Sequence, residues 1–535
     1  MPSPDRIRLL LATFMAGLVS LALELAAGRL LAPAFGTTEL VWTAVIGMIL
    51  LYMAVGYAVG GRIADRAPRP ALMDTLLALA GLATAVIPLV ARPLLALATR
   101  GMVTYRLGLV GGTLVSVLAL FSVPVTLLAC VSPYAVRLAV VGLADSGRTV
   151  GLFSAVAAAG SFIGTVLPTF ILIPNLGTRR TFVLLAVLAL VTGLLGLWHS
   201  CRRRFWLLIW GLPALAGLYL WQPIAIKPLP KAPGAYLSDA TLILESESAH
   251  NFIQVVEDPR GRRYLLLNEG QGIHSVFTPV AQYADGGDPT ALLTGGPWDY
   301  YLIAPLFNPA PFGTDQVRNA LVIGLAAGTT PTQLTEVYGP LPIDGVEIDG
   351  RIVEIGRTHF GMTQPNLTAH ITDGRAFLSQ SDALYDLVAV DAYRLPYIPW
   401  HLTTVEFFAE VHEHLTDTGV VAINVGHTPG PDGDSDWRLV SAMVNTMRQV
   451  YPAVHVIAIP GSFNAIVVAT GAPSDLEDFT ENAAATTDLR LKSLAERASQ
   501  NLRRPEPSSI VFTDDLAPVE QMTHALALRY MLGMP

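Results

Sequence analysis

At 535 residues, the chain is too long for one ordinary domain, and its 14% of charged residues and mean hydropathy of +0.49 are unusual for a soluble protein. A formal charge of −8, with no basic stripe to neutralise phosphates, excludes nucleic acid as an expected partner and leaves a small molecule as the default one. The two cysteines, Cys130 in an apolar run and Cys201 beside Arg202, exclude a disulfide framework and a cysteine metal site.

Most of the apolar excess lies before about residue 225. Runs long enough to cross a hydrocarbon core of ~30 Å fall at about 8–32, 40–60, 71–97, 108–132, 150–173, 179–198 and 205–226, which predicts seven spans. The first follows Arg6 and Arg8 but runs past signal-peptide length, so it reads as a retained span. Pro213 makes the last a candidate kinked or re-entrant segment. Glu24 and Arg29 sit inside the first span, where an uncompensated charge costs ~2.5–3.5 kcal/mol on insertion scales, so both are expected to face protein or water. The small-residue spacing of Gly160 and Gly164 predicts close helix packing. The run Gly60-Gly61-Arg62-Ile63-Ala64-Asp65-Arg66 resembles the short loop after the second helix of major-facilitator transporters. Its simplest reading is a positively charged cytoplasmic turn with a helix cap.

Four prolines in residues 223–236 mark a stiff connector. Alternating segments follow at Leu242–Glu247, Phe252–Glu257 and Tyr264–Asn268, predicting a small antiparallel sheet. From Ala320 short apolar strands alternate with helices, the pattern of a doubly wound α/β sheet. Strands are expected at about 320–324, 343–348, 368–372, 386–391, 419–424, 453–459 and 463–470. The last two, joined by a Pro-Gly-Ser turn, form a hairpin that points to the methyltransferase-type Rossmann-like fold.

The first of these strands ends in Gly324-Leu325-Ala326-Ala327-Gly328-Thr329-Thr330, small residues that let backbone approach a ligand. Glu347 closes the next strand, where an acid can accept both ribose hydroxyls of a nucleotide. Asp373-Gly374 ends the third, where a carboxylate can take an adenine amino group, and Asp391 ends the fourth. Three acids at successive strand ends line one crevice. For each alone the alternative is a helix N-cap. There is no P-loop, and no metal-ligand cluster is evident in the sequence.

From about Leu242 to Gly471 these residues resemble the spermidine synthase family. The ordered set comprises Ser248-Ala249-His250-Asn251-Phe252-Ile253-Gln254-Val255, Tyr264-Leu265-Leu266-Leu267-Asn268-Glu269-Gly270, the Gly-rich turn, Val346-Glu347-Ile348-Asp349, Asp373-Gly374 and Tyr385-Asp386-Leu387-Val388-Ala389-Val390-Asp391. The membrane half with Thr513-Asp514-Asp515-Leu516-Ala517-Pro518-Val519-Glu520 further resembles bacterial proteins that fuse a transporter-like domain to such an enzyme. The alternative for Asp514 and Asp515 is a helix cap before Pro518.

The resemblance implies transfer of the propyl chain of decarboxylated S-adenosylmethionine to an amine, leaving 5'-methylthioadenosine, with no cofactor required. It implies Glu347 on the ribose, Asp373 on the adenine and Asp391 as the catalytic residue, either general base or electrostatic partner for the nucleophile. It adds Asn251, Gly324, Ala327, Gly328, Gly374 and Arg394 to the substrate-binding set. Tyr301 and His274, with Tyr300, Tyr393 and Trp400, are candidate walls of the site, the alternative for each being a packed or interface aromatic. The departures are specific. Ala327 stands where the family's turn carries an acid for the aminopropyl ammonium, Arg394 where it has a second acid for the accepting amine, Asn251 where it has a glutamine, and Pro460-Gly461-Ser462-Phe463 where it has a longer segment walling the amine site. An arginine repels a cationic diamine and can pair with a carboxylate. The expected reaction is therefore on S-adenosylmethionine itself, closing intramolecularly to homoserine lactone with release of 5'-methylthioadenosine. The alternatives are polyamine aminopropyl transfer, with Asp299, Glu269 or Asp514 holding the amine, methyl transfer, and a non-catalytic nucleotide-gated sensor or transporter.

The expected organisation is a transmembrane helical domain at 1–226, a linker at 227–240, a small antiparallel β-domain at 241–310, a Rossmann-like catalytic domain at 311–475 and a helical tail at 476–535. The lipid bilayer is the expected large partner, and a homodimer is compatible. Arginines before the first span, after the second and before the seventh favour a cytoplasmic N-terminus in a bacterial inner membrane. Seven spans then put the C-terminal domain outside, whereas adenosyl sulfonium compounds are made inside cells. A miscounted or re-entrant segment, with the catalytic domain cytoplasmic, is the expected resolution.

Overall fold

The computed structural model describes residues 4–35, 39–105, 108–140, 146–221, 239–248, 250–268, 272–284, 286–393, 398–429, 435–504 and 506–532. It divides into two compact units, Met1–Pro230 with Ser246–Ala249, and Lys231–Glu245 with His250–Pro535.

The first unit is helical. Helices α1 (Pro4–Phe35), α2 (Glu39–Arg66), α3 (Pro70–Tyr105), α4 (Gly108–Ala139) and α5 (Ser146–Leu167), with a π-turn at Pro168–Leu172, lead into α6 (Ile173–Ser200). Among the described residues, five helical segments are long and apolar enough to cross a membrane. The last of them, Ser146–Ser200, has 55 residues, about 80 Å at 1.5 Å per residue and more than twice the bilayer core. It folds as two helices, because Gly177 leaves helical geometry at φ 77° and ψ 165°. Helix direction agrees. Gly160 lies on Phe14 and Gly164 on Leu18, so α5 runs parallel to α1, whereas Gly193 meets Ala78 and Gly196 meets Asp74, so α6 runs antiparallel to α3.

The predicted seventh span is corrected. Residues 202–221 form two short helices, α7 (Arg202–Leu208) and α8 (Gly211–Trp221), neither with the ~20 residues a crossing needs. Gly211 and Pro213 at the break explain the interruption, since proline removes a helical donor. Residues 222–226 of that prediction lie outside the described residues.

Small residues set the helix contacts. A Cβ on Gly164 would stand 2.1 Å from the Leu18 carbonyl oxygen and one on Gly160 2.2 Å from that of Phe14, the close backbone approach expected from their spacing. Glu24 is buried at 8% exposure. The Gly60–Arg66 run closes α2, where Asp65 pairs with Arg137 at 3.0 Å and ties α2 to α4, and in the turn that follows the Ala67 carbonyl accepts the Tyr134 hydroxyl. Gly164→Ile should separate α1 from α5 and cost about 1–3 kcal/mol, read as a lower thermal unfolding midpoint of the detergent-solubilised chain. An unchanged midpoint would contradict this packing.

The second unit opens with a four-stranded antiparallel sheet in the order β1 (Thr241–Glu247), β2 (Phe252–Glu257), β3 (Arg263–Leu267), β4 (Ile273–Phe277). Strand β4 was not expected from the sequence. One face of the sheet, Ile253, Val255, Leu265 and Leu267, packs on Ala327, Ile352, Ile355 and Phe360 of the following α/β fold.

A short helix, α9 (Pro297–Tyr301), precedes that fold, which is built on β5 (Ala320–Ile323), β6 (Ile343–Glu347), β7 (Leu367–Ile371), β8 (Tyr385–Val390), β9 (Leu415–Gly426), β10 (Ala453–Ala458), β11 (Asn464–Thr470) and β12 (Leu502–Arg503). The sheet order is β12-β10-β11-β9-β8-β5-β6-β7, with β9, β8, β5, β6 and β7 parallel and β11 antiparallel to both neighbours. This is the methyltransferase-type arrangement. The central strands are buried on both faces, as in an α/β sheet covered by helices. The chain order reverses between β5 and β8, so the switch point lies at their carboxyl ends.

Candidate active site

Register brings the sequence-selected residues to one edge. Ile323 pairs with Val346 and Val390, and Val390 with Ile423, so Gly324, Glu347, Asp391 and Asn424 follow or close adjacent strands at one level. Gly324 takes φ 90°, and a Cβ there would stand 2.5 Å from the Asp391 carbonyl oxygen. Ala326 adopts φ 46° without being glycine, and Gly328, at φ 94°, precedes α10 (Thr329–Tyr338). Such backbone costs about 1–3 kcal/mol at a non-glycine residue and clusters at functional sites.

Glu347 accepts N–H bonds from Ala326 at 2.9 Å and Asp349 at 3.1 Å. Burial nevertheless pushes its carboxyl up to about 7, against those backbone donors. Asp349 caps α11 (Gly350–His359) and accepts from Asn251 Nδ2 at 2.8 Å, while Asn251 Oδ1 accepts from Asn268 Nδ2 at 2.9 Å. Asn251 thus joins the small sheet to the second acid of Glu347-Ile348-Asp349. Ala327 donates its N–H to Ser275 Oγ at 2.9 Å, and its side chain packs with Ile253, Ile352 and Ile355.

Asp373 caps α12 (Gly374–Leu378) through Oδ1, and its Oδ2 receives His401 Nε2 at 2.9 Å. The His401 bond holds this carboxyl below its usual range. The cap and the ligand-edge position, weighed as alternatives from sequence, coexist in one residue. Gly374 allows tight packing, since a Cβ would stand 2.3 Å from Ile323 Cγ2.

Asp391 is half-buried. It accepts Asn424 Nδ2 at 2.9 Å and the Trp298 indole N–H. Burial pushes its carboxyl up to about 6, and both donors act against that rise. Neither Trp298 nor Asn424 was selected from sequence. Trp298 lies 93 positions before Asp391 in the chain numbering, and no short motif links them.

Several expectations are corrected. Tyr301 is fully buried, its hydroxyl donating to the Val390 carbonyl at 3.0 Å, so it braces β8 instead of lining the crevice. His274 is the extra residue of a β-bulge, with Leu265 opposite Ser275 and Leu266 opposite Ile273; burial pushes its imidazole down to about 4. Asp299 is fully buried and takes four donors, from Thr294 N and Oγ1, Gly295 N and Gln333 Nε2, leaving no role on an amine. Asp514 forms a two-bond pair with Arg375, at 2.7 and 2.8 Å, and accepts from Thr404, which replaces both the amine-holding and the capping readings. Tyr300 is buried and Trp400 is 40% exposed. Arg394 and Glu269 lie outside the described residues. Among the described residues no group of three His, Cys, Asp or Glu side chains is placed to hold a metal.

Residues 308–468 match the family model of the spermine/spermidine synthase domain. The chain is 29% identical over 306 residues to a probable polyamine aminopropyl transferase of Bifidobacterium longum, covering 54% of this chain and 64% of that protein. It is 27% identical over 335 residues to a polyamine aminopropyltransferase of Mycobacterium tuberculosis, covering 59% of each. The chain spans less than two thirds of the length of these curated relatives. A probable spermidine synthase from Corynebacterium glutamicum aligns over 51% of this chain and 98% of its own, with TM-score 0.37 and 17% identity.

Gly324→Ala should cost about 2 kcal/mol or more, because it combines a left-handed backbone with a clash on the Asp391 carbonyl. The measurement is the thermal unfolding midpoint of the whole chain in detergent; no shift would contradict the close approach of β5 and β8.

Proposed function

We propose that the second unit transfers the aminopropyl chain of decarboxylated S-adenosylmethionine to an amine, releasing 5'-methylthioadenosine. The observation that carries this reading is the half-buried Asp391 carboxylate at the β5/β8 switch point, fixed by two donors, within a spermine/spermidine synthase domain. A group that merely bound a nucleotide would gain little from a carboxylate in such surroundings.

In this reading the ribose hydroxyls donate to the Glu347 carboxylate, whose two oxygens keep lone pairs beyond those given to backbone, and the adenine amino group donates to Asp373. The amine nitrogen attacks the carbon bound to sulfur. The C–N bond forms as the C–S bond breaks, and the pair passes to sulfur, which leaves as a neutral thioether and needs no acid. The amine enters as an ammonium, and its proton passes to Asp391 as the freed nitrogen lone pair attacks. The modules at 1–226, 227–240, 241–310, 311–475 and 476–535 are read as membrane domain, linker, lid-like sheet, catalytic fold and tail. We place the chain in a bacterial inner membrane with its N-terminus cytoplasmic, on the side of Arg6, Arg8, Arg66, Arg69 and Arg202 to Arg204.

One observation favours a second reading. Ala327 offers no negative charge to an aminopropyl ammonium, and its side chain lies among Ile253, Ile352 and Ile355. Intact S-adenosylmethionine closing on its own carboxylate would give homoserine lactone and the same 5'-methylthioadenosine.

Mass spectrometry of two incubations separates these. Decarboxylated S-adenosylmethionine with putrescine should give spermidine, whereas homoserine lactone from S-adenosylmethionine alone, with no spermidine, would replace the transfer reading by cyclisation. Asp391→Asn should lower kcat by roughly 10²–10⁴-fold. Because the base must be ionised and its carboxyl stands near 6, kcat/KM should rise with pH through about 6 and level off above. A profile flat from pH 5 to 8 would remove Asp391 from the base role.

A further inference from the structure

Asp373 has little left to offer a ligand. Its Oδ1 accepts the N–H of Arg375 at 3.0 Å and that of Ala376 at 3.1 Å, and its Oδ2 accepts His401 Nε2 at 2.9 Å. A carboxylate has about four acceptor positions, so among the described residues a single lone pair, on Oδ2, stays open. The side chains of Asp373 and His401 are 34% and 31% exposed, so a ligand can reach that oxygen.

The backbone of His401 is held as well. It lies in the 3₁₀ turn Trp400–Leu402, and its carbonyl accepts Arg375 Nη1 at 3.3 Å. The contacts close a ring: the Arg375 N–H caps Asp373, the Arg375 guanidinium holds the His401 backbone, and the His401 imidazole returns to Asp373. That guanidinium is fixed in turn by Glu410 of α13 (Val405–Glu413) at 2.6 Å and by both oxygens of Asp514 at 2.7 and 2.8 Å, the two-bond geometry that orients an arginine. Asp514 is itself tied to Thr404 Oγ1 at 2.7 Å. The Thr513-Asp514-Asp515 segment, which the reaction above leaves unused, thus reaches the adenine end of the crevice. An ion-pair network needs only Arg375, Glu410 and Asp514; the imidazole on the ligand-facing oxygen is additional.

The bond from His401 holds the Asp373 carboxyl below its usual range, so the shared hydrogen belongs to the imidazole and Asp373 has none to donate. A 6-aminopurine brings an N–H to the open lone pair, whereas a 6-oxopurine brings an oxygen that a carboxylate repels. We propose that His401, held by Arg375 and Asp514, is a positioning residue that keeps Asp373 an acceptor and so makes the crevice select a 6-aminopurine over a 6-oxopurine. This rests on the placement of adenine at Asp373 in the reading above, and it holds for aminopropyl transfer and for cyclisation alike, since both start from an adenosyl group.

The test is calorimetric binding of 5'-methylthioadenosine and of its 6-oxo counterpart, 5'-methylthioinosine, to the full chain in detergent at one fixed pH. The native protein should prefer the amino ligand by about tenfold or more, the worth of one hydrogen bond set against one repulsion. His401→Phe fills the same space without an N–H, and His401→Leu is a second variant without a donor. In both, the preference should fall by about threefold or more, through weaker binding of the amino ligand. His401→Gln, whose amide N–H replaces that of the imidazole, should keep the preference within about twofold of native. A purely structural role would weaken both ligands equally and leave the ratio unchanged, because the ribose and its contact with Glu347 are common to both. A native preference that His401→Phe and His401→Leu leave unchanged, or that His401→Gln loses as fully as they do, would overturn this proposal alone. A native protein that binds both ligands alike would remove Asp373 from the adenine and overturn the underlying placement as well.

Discussion

The crevice depends on how closely two parallel strands approach at their carboxyl ends. Gly324 turns out of β5 directly against the Asp391 carbonyl, and Asp391 donates its own N–H to the Ile323 carbonyl at 2.8 Å. No residue with a Cβ fits there without displacement, and the left-handed φ of Gly324 adds to the requirement. Because β5 lies between β6 and β8, this one turn faces acids from both neighbours. The sheet then gives each acid a different environment. Glu347 is buried and met by backbone donors, Asp373 is capped and paired with His401, and Asp391 keeps a partly open face with only Asn424 and Trp298 on it among the described residues. Two of the three carboxyls, Glu347 and Asp391, are thereby pushed up, and Asp373 is pushed down.

The first unit solves a different problem with the same small residues. Among the described residues, five of its helical segments are apolar enough to cross a membrane, and helices in lipid lack a hydrophobic drive toward one another and rely on close contact. Gly160 and Gly164 against α1, and Gly56 and Gly60 against Thr126 and Cys130 of α4, bring backbones together. Hydroxyls inside these helices satisfy themselves locally, as Thr13, Thr84, Ser116 and Thr181 do on carbonyls one turn back, which removes unpaired donors from an apolar medium.

Much of this was legible in the sequence because it rests on local pattern. Apolar runs bounded by Gly, Asp and Pro located the strands of the sheet, with boundaries off by a few residues, and the Pro-Gly-Ser turn gave the β10–β11 hairpin. The acids at strand ends follow from period and spacing. What was not legible depends on distant residues. Trp298 and Asn424 reach Asp391 from other parts of the chain. Aromatic residues near the site were read as walls, but Tyr301 braces a strand instead, because a phenol in a dry interior seeks a backbone carbonyl. Charge invited similar misreading: Asp299 and Asp514 looked available for an amine and are held by four donors and by Arg375. The last predicted span failed because hydropathy registers apolar length and not the break at Gly211 and Pro213.

The proposed function turns on Glu347 receiving the ribose of an adenosyl thioether. Its carboxyl stands near 7, and hydroxyl donors favour the ionised form, so binding should drive protons off. Calorimetry of 5'-methylthioadenosine binding at pH 7, in two buffers of different ionisation heat, reads this directly. Release of up to about half a proton per site is expected, lost in Glu347→Gln. Binding with proton uptake, or with a release that Glu347→Gln leaves unchanged, would contradict the assignment.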